Sequence, residues 1–545
     1  MTVYQIYIKS FSDSNNDGIG DLNGIKEKLP YLSFLGVDMI WITPFYKSPM
    51  YDNGYDVADY LSVDESFGTM EDLQSLIDTA KEHGIGIMLD MVFNHSSTYH
   101  NWFHNALAGD KEYQDYYYFV KSDDTPTNWV SKFGGSAWEY SEELDMYYLH
   151  LFHKNQADLN WFNPKVREEL YNVVNKYLEM GVMGFRFDVI NLISKPDEFI
   201  DDDIGDGRRF YTDGPRIHEY LQELNKNTFG KVPNTVTVGE MSSTNIENCK
   251  RYSNPSGDEL SMVFNFHHLK VDYKDGDKWS LMDFDFIELK RLLFTWQIEM
   301  QSAGAWQALF WSNHDQPRIV SRFGDTENYH DESAKALATA LYFMRGTNYI
   351  YQGEEIGMTN PDFESIEDYQ DVESINYYNI LIEKGYDEEE VLKILRSKSR
   401  DNSRTPMQWN NLDYAGFSKI SPWIGVANSY KKINAQNQVD WPNSILNYYR
   451  EIIKLNKEDL FAYGDIVPIL ENHPRVLAYF RILNGRKVLV ITNFYAEEIS
   501  LCFDDLNLGP NNKLETILSN YPEADFGLIE DVRLKPYAAI VLEIS

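Results

Sequence analysis

Apolar positions along the chain recur in two rhythms, and the two take turns. Residues 3–11 (VYQIYIKSF) alternate apolar with polar, the period-two pattern of a strand. Residues 23–36 (NGIKEKLPYLSFLG) follow with helical spacing and a closing glycine, and 37–44 (VDMIWITP) are almost continuously apolar. The pair returns at 71–84 (EDLQSLIDTAKEHG) and 85–93 (IGIMLDMVF). Strands apolar on both faces and separated by helices predict a parallel sheet covered by helices. After a break, a helix over 165–180 and a strand over 182–190 restore the rhythm. Further strands are expected at 235–239, 262–266, 308–311 and 348–351. Eight such units predict a (β/α)8 TIM barrel.

Two segments depart from that rhythm. Residues 97–163 carry many aromatics and short polar turns (SDDTPTN, FGGSAW) without a helix repeat, which reads as an insertion domain after strand three. From about residue 463 short alternating strands such as RVLAYFRI and KVLVITNF run without helices, as in a C-terminal antiparallel β-sandwich domain. The expected limits are 1–96 and 164–462 for the barrel, 97–163 for the insertion and 463–545 for the β domain.

Charge narrows the partners. With 85 acidic against 49 basic residues, a net −36, nucleic acid is disfavoured. No apolar run reaches the ~18 residues that span a bilayer. The opening MTVYQIYIKSF lacks a basic n-region and an apolar core. Two distant cysteines, Cys249 and Cys502, imply no disulfide framework. A cytoplasmic protein is expected, monomer or small homo-oligomer, without membrane or nucleic-acid partners. Aromatics at 15% suit stacking on sugar rings and ordinary core packing alike.

In a barrel, the C-terminal strand ends converge on one mouth. Here they read Asp90 and His95 after strand three, Arg186 and Asp188 on strand four, Glu240 after strand five, and His314 with Asp315 after strand seven. Gathering carboxylates costs energy that proteins accept mainly for catalysis or metal binding. Two carboxylates flanking a bond, one ionised and one protonated, are what glycoside hydrolysis requires. Arg186 is expected to keep Asp188 ionised, while the valines and threonines before Glu240 favour its acid form. A separate loop, DSNNDGIGD, spaces hard oxygen ligands at Asp13, Asn15, Asp17, the Ile19 carbonyl and Asp21, with Gly18 at the turn. That set suits Ca²⁺ or Mg²⁺ in a structural role. Gly24 stands where an EF-hand places glutamate, so the loop is not an EF-hand.

The four stretches DMVFNH, GFRFDVI, VGEM and SNHDQPR resemble the ordered signature regions of the α-amylase family of glycoside hydrolases. The resemblance spans essentially the whole chain. It implies Asp188 as nucleophile, Glu240 as general acid/base and Asp315 as the third catalytic carboxylate. Arg186, His95 and His314 are implied at the −1 sugar. QADLN (156–160) resembles the marker of the oligo-1,6-glucosidase group, with Ala157 where proline is usual. In that group Asp52 and Tyr55 hold the terminal glucose, and Arg400, rather than Arg404, pairs with the aspartate. An exo-acting enzyme is then expected. Val189 is similar to the residue of isomaltose-type enzymes, and the relatives' calcium loop matches 13–21.

Within the family, DGRRFYTDGPR, GEMSST, FNFHHLKVDY and SKSRDNSRTP resemble the trehalose-6-phosphate hydrolases. Where oligo-1,6-glucosidases carry acids, this chain has His267 and Lys270. The resemblance therefore implies a phosphorylated disaccharide as substrate, with Lys270 and His267 reading its phosphate and Arg208, Arg209 and Arg216 as further choices. No organic cofactor is implied. The alternatives are an oligo-1,6-glucosidase or dextran glucosidase and, more remotely, an inactive barrel acting as a binding partner. A sucrose isomerase is disfavoured by SRFGDTEN at 321–328, which lacks the charged cluster of that group.

Overall fold

The computed structural model describes residues 1–509, 512–521 and 531–545. All eight expected barrel strands form: β1 (Thr2–Ile6), β2 (Met39–Ile42), β3 (Gly86–Met91), β4 (Gly184–Phe187), β5 (Val236–Glu240), β6 (Met262–Phe264), β7 (Ala308–Leu309) and β8 (Thr347–Tyr351). They pair in parallel in the order β6-β5-β4-β3-β2-β1-β8-β7. A single parallel bridge, Val263 to Gln307, joins β6 to β7 and nearly closes the ring. Registers set the mouth: Arg186 of β4 lies beside Asp90 of β3 and Val238 of β5.

Local chemistry adjusts the expected boundaries. The first strand stops at Ile6 because Ile8–Ser10 coil into a 3₁₀ turn. The helix expected over 23–36 is two, Leu22–Glu27 and Leu29–Leu35, since Pro30 lacks the N–H that a continuous helix needs and is tolerated only in a first turn.

The insertion holds a three-stranded antiparallel sheet of Phe119–Val120, Met146–Leu149 and Trp138–Ser141. It also contains the short helix Asn101–Leu107, which its sequence pattern does not reveal. At its base, His95–Ser97 pairs antiparallel with Gln156–Asp158. Trp129 anchors it to the barrel: its indole donates to the Ile200 carbonyl at 2.9 Å, and its ring lies on Gly207. A side chain at 207 would overlap that ring, and the residue's φ of 92° is a glycine conformation.

The C-terminal part forms two antiparallel sheets. One contains β9 (Asp465–Ile469), β10 (Val476–Leu483) and β11 (Arg486–Asn493) with β13 (Leu514–Ser519) and β15 (Ala539–Ile544). The other pairs β12 (Ile499–Cys502) with β14 (Asp531–Leu534). Apolar side chains such as Ile491, Leu501, Leu534 and Leu542 fill the space between them. The barrel grips this domain through buried Lys290, which donates to the carbonyls of Leu470 (2.9 Å), Val476 (3.1 Å) and His473. No described helix is long and apolar enough to cross a membrane.

Candidate active site

The expected strand-end residues meet at the mouth, and Arg186 is their hub. Its guanidinium donates to Asp90 Oδ1 at 2.7 Å and Asp188 Oδ1 at 2.8 Å, and its other terminal nitrogen meets the Glu240 carboxylate. One buried cation thus touches three carboxylates from β3, β4 and β5. Asp90 lies at the bottom, held also by the Trp41 indole (3.1 Å) and the Tyr55 hydroxyl (2.9 Å). Burial pushes its carboxyl up to about 7 against the pull of Arg186.

Val189 follows Asp188 with φ 34° and ψ 40°, a left-handed conformation that a β-branched residue rarely adopts. It turns the chain out of β4 into the 3₁₀ turn Ile190–Leu192, leaving Asp188 at the rim of the cavity. Backbone strain therefore sits at the residue beside the expected nucleophile.

The two expected histidines are buried. Burial lowers His95, whose Nε2 lies 3.0 Å from the Tyr55 carbonyl. Burial also holds His314 down at about 3. Its ring stacks on Tyr55, with centroids 5.2 Å apart and planes at 1°. The Gln5 amide donates to its Nδ1 at 2.7 Å, so the proton resides on Nε2, 3.2 Å from Asp315.

On the opposite wall Arg400 spans Asp52 (3.1 Å), Asp315 (3.3 Å) and Asp371. Arg404 is a partner as well, 2.8 Å from Asp315. Burial would raise Asp315, but His314, Arg400 and Arg404 outweigh it and hold the carboxyl well below the usual range. Asp52 is the reverse case: burial lifts it to about 7 despite Arg400. Gln156, from the QADLN stretch, bridges Asp52 and His95 at 3.1 Å each.

The pocket over these groups measures about 170 Å³, lined by Asp52, Tyr55, Asp188, Glu240, Asp315 and Arg400 among others. That exceeds several waters at about 30 Å³ each and falls short of the 300–1,000 Å³ typical of drug-sized ligands. It has room for one ring. Five lining residues were not picked out from the sequence: Phe133 and Phe152 of the insertion, Gln316, and the pair Lys278–Glu373 (2.7 Å). Phe133 and Gln316 sit in stretches that stood out, FGGSAW and SNHDQPR; the Phe133 ring lies 4.9 Å from the Arg400 guanidinium.

Beyond Glu240, FNFHHLKVD does not remain a strand; β6 stops at Phe264 and His267–Leu269 form a 3₁₀ turn. Lys270 caps that turn and is exposed. Its side chain is open to solvent as a whole, but its ammonium end is crowded by surrounding atoms, and that desolvation first, then Arg208, lowers it. His267 supplies no cation. Its ring packs on Trp296 at 5.0 Å, and burial drops it to about 4. Arg209 and Arg216 are directed elsewhere, to Asp202 (2.9 Å) and Asp197 (3.4 Å).

In the loop at 13–21, the donors are hard oxygens of the kind calcium takes. In the structure they accept from the loop and from the helix that follows it: Asp13 from the N–H groups of Asn16 and Gly18, Asp17 from Ile19, Asp21 from Ser14 and from Gly24 of the helix it caps.

Two barrel-mouth carboxylates sharing one buried arginine, over a small pocket, are the arrangement that glycoside hydrolysis requires. Comparison places the chain more narrowly. The family profile for the alpha-amylase catalytic domain matches residues 5–464, and the chain belongs to that family. It is 49% identical to a trehalose-6-phosphate hydrolase of Bacillus subtilis, over 100% of this chain and 97% of the relative. Identity to an oligo-1,6-glucosidase of Bacillus cereus is 45%, over 100% and 98%. The crystal structure of Bacillus licheniformis trehalose-6-phosphate hydrolase superposes with a TM-score of 0.95 at 50% identity, covering 100% and 99% of the two chains.

Proposed function

We propose that this enzyme is a retaining exo-hydrolase that splits trehalose 6-phosphate into glucose and glucose 6-phosphate. The observation that carries the choice of substrate is Lys270. It stands exposed past Glu240, beside Arg208, with no carboxylate within ion-pair distance among the described residues. In a chain of net charge −36, a lysine in that position fits an anionic leaving group. The similarity to trehalose-6-phosphate hydrolases supports the same reading. Val189 and the 45% identity to an oligo-1,6-glucosidase keep a 1,6-glucosidase as the rival.

Chemistry follows from the two carboxylates. The neutral glucose enters the pocket, where Asp52 and Arg400 take its hydroxyls and Tyr55, backed by the stacked His314 ring, packs against the sugar. Asp188 attacks C1 as Glu240 gives its proton to the glycosidic oxygen. The C1–O bond breaks, glucose 6-phosphate departs and a glucosyl ester remains on Asp188. Glu240 then takes a proton from water, whose oxygen attacks C1 and frees both glucose and Asp188 with net retention. Arg186, bound to both carboxylates, keeps them oriented through the two steps.

Trehalose 6-phosphate is a charged sugar that does not cross a bilayer unaided, so we assign the enzyme to the cytoplasm. Its two unpaired cysteines accord with that compartment. A Ca²⁺ ion, if bound, would take oxygens of Asp13, Asn15, Asp17, Ile19 and Asp21 and stabilise the fold. In that case calcium raises the melting temperature and EDTA lowers it, without altering substrate preference.

The deciding assay is glucose 6-phosphate release from trehalose 6-phosphate beside hydrolysis of trehalose and isomaltose. A strong preference for the phosphorylated sugar is expected; equal or faster cleavage of isomaltose would assign a 1,6-glucosidase.

A further inference from the structure

We propose that Lys132, contributed by the insertion, is a specificity-determining residue that closes over the leaving group's phosphate opposite Lys270. The inference rests on the substrate reading above and adds a residue from a different part of the fold.

Three segments converge just past Glu240. Ser242 lies two residues beyond it and fixes its backbone on Asn191, with hydrogen bonds of 2.9 and 2.8 Å in the two directions. Lys132 reaches across from the insertion to donate to the Ser242 hydroxyl at 3.2 Å, with its ammonium 5.6 Å from the Tyr211 ring. Arg208 begins the short helix that ends at Tyr211. Lys270 comes from the turn after β6, whose His267 lies beside the Thr244 backbone.

The position of Lys132 is built rather than loose. Its own N–H bonds to the Leu151 carbonyl at 2.8 Å, and the Ser131 hydroxyl accepts from the N–H of Phe133. Two residues earlier, Val130 is tied to the Asp206 carbonyl at 3.1 Å, and Trp129 is locked on Gly207. The same turn thus presents Phe133 to the glucose pocket and Lys132 to the departing sugar.

Electrostatics leave this corner short of negative charge. The charged groups that act on Lys132 are Arg208, Asp206, Lys270 and Lys195. Asp206 is engaged by Arg208 at 2.8 Å, and Lys195 by Asp158 at 2.6 Å. Among the described residues neither Lys132 nor Lys270 has a carboxylate partner within ion-pair distance. One hydroxyl does not offset the burial of an ammonium. A phosphate dianion would, because it offers three acceptor oxygens to three donors on different segments.

A pH signature follows. Burial first, then Arg208, lowers Lys132 to about 7, so its charge fades as pH rises through neutrality. The phosphate gains its second charge above about pH 6. Binding of the phosphorylated sugar is therefore tightest between about pH 6 and 7. His267, already neutral, adds nothing in that window.

The test compares wild type, Lys132→Met and Lys132→Arg on trehalose 6-phosphate and on p-nitrophenyl α-D-glucoside, with inhibition by glucose 6-phosphate followed from pH 6 to 8.5. Lys132→Met is expected to lower the ratio of kcat/KM values for the two substrates by about 10- to 100-fold, the effect of one charge-assisted hydrogen bond. Lys132→Arg is expected to restore the ratio and to flatten the loss of glucose 6-phosphate inhibition above pH 7, since its guanidinium stays charged. If wild type prefers the phosphorylated substrate and Lys132→Met keeps that ratio, the role assigned to Lys132 is wrong and the substrate reading survives. A wild type with no preference overturns both. Should Lys132→Met fold poorly, the wild-type inhibition profile and Lys132→Arg still decide: a flat wild-type profile rejects the role.

Discussion

The two sides of the bond to be cut are built on opposite principles. On the glucose side every charge is already answered: Arg186 by Asp90, Asp188 and Glu240, and Arg400 by Asp52, Asp315 and Asp371. On the leaving-group side Lys132 and Lys270 stand without acidic partners among the described residues. A neutral ring needs preorganised dipoles that do not rearrange during reaction. A phosphate brings its own charge and needs cations left open. Selectivity for the glucose therefore lies in a closed network, and selectivity for what is attached to it in an open one.

Five substitutions, with a salt and a pH titration, probe that contrast. The largest effect is expected from Asp188→Asn, which should reduce kcat by about 10⁴-fold or more on phosphorylated and plain glucosides alike. Glu240→Gln should match it on trehalose 6-phosphate; on p-nitrophenyl glucoside, whose leaving group needs no proton, kcat/KM should recover while kcat stays low, because the base of the second step is missing. Steady-state rates on both substrates measure this, and a variant retaining a tenth of the activity on trehalose 6-phosphate would clear the residue of its role.

Arg400→Ala comes next. It strands buried carboxylates, so a stability loss of about 3–5 kcal/mol is expected in denaturant unfolding. Activity should fall on both substrate classes, because Asp52 and Asp315 lose their common partner. A loss confined to the phosphorylated sugar would contradict the division between the two sides.

Lys270→Ala is the complementary cut. KM for trehalose 6-phosphate should rise about 10- to 100-fold with kcat changed far less. Salt should weaken wild-type binding of the phosphorylated sugar and affect isomaltose much less. An equal effect on both would return Lys270 to the solvated surface.

The smallest effect is on stability against pH. Asp52 and Asp90 are both pushed up to about 7, above the ordinary carboxylate value of about 3.9. A folded pKa above the unfolded one gives stability that is fully present below about pH 4 and lost as pH rises through 7. Asp315 and Asp371, held low by their arginines, act in the opposite sense and lose theirs toward acid. The melting temperature of the free enzyme should therefore decline as pH rises from about 4 to about 7 and level off above that, and Asp52→Asn should reduce that decline. A slope unchanged by the substitution would show that Asp52 is ionised throughout.

Much of this architecture can be read directly along the chain. Period-two and period-3.6 patterns are local, so eight strands and the helices between them follow from neighbouring residues. Barrel geometry carries strand ends to one mouth, which is why Asp90, Asp188, Glu240 and Asp315 could be named in advance. Pairing is another matter. Arg186 finds Asp90 across 96 positions and Arg400 finds Asp52 across 348. Only the folded chain decides such partners, because ion pairs depend on distance in space. His267 reads as a cation by residue type and becomes a neutral ring by burial against Trp296. Lys132 reads as one polar residue in a turn, and only the docking of Trp129 on Gly207 brings it within reach of Ser242 and Lys270.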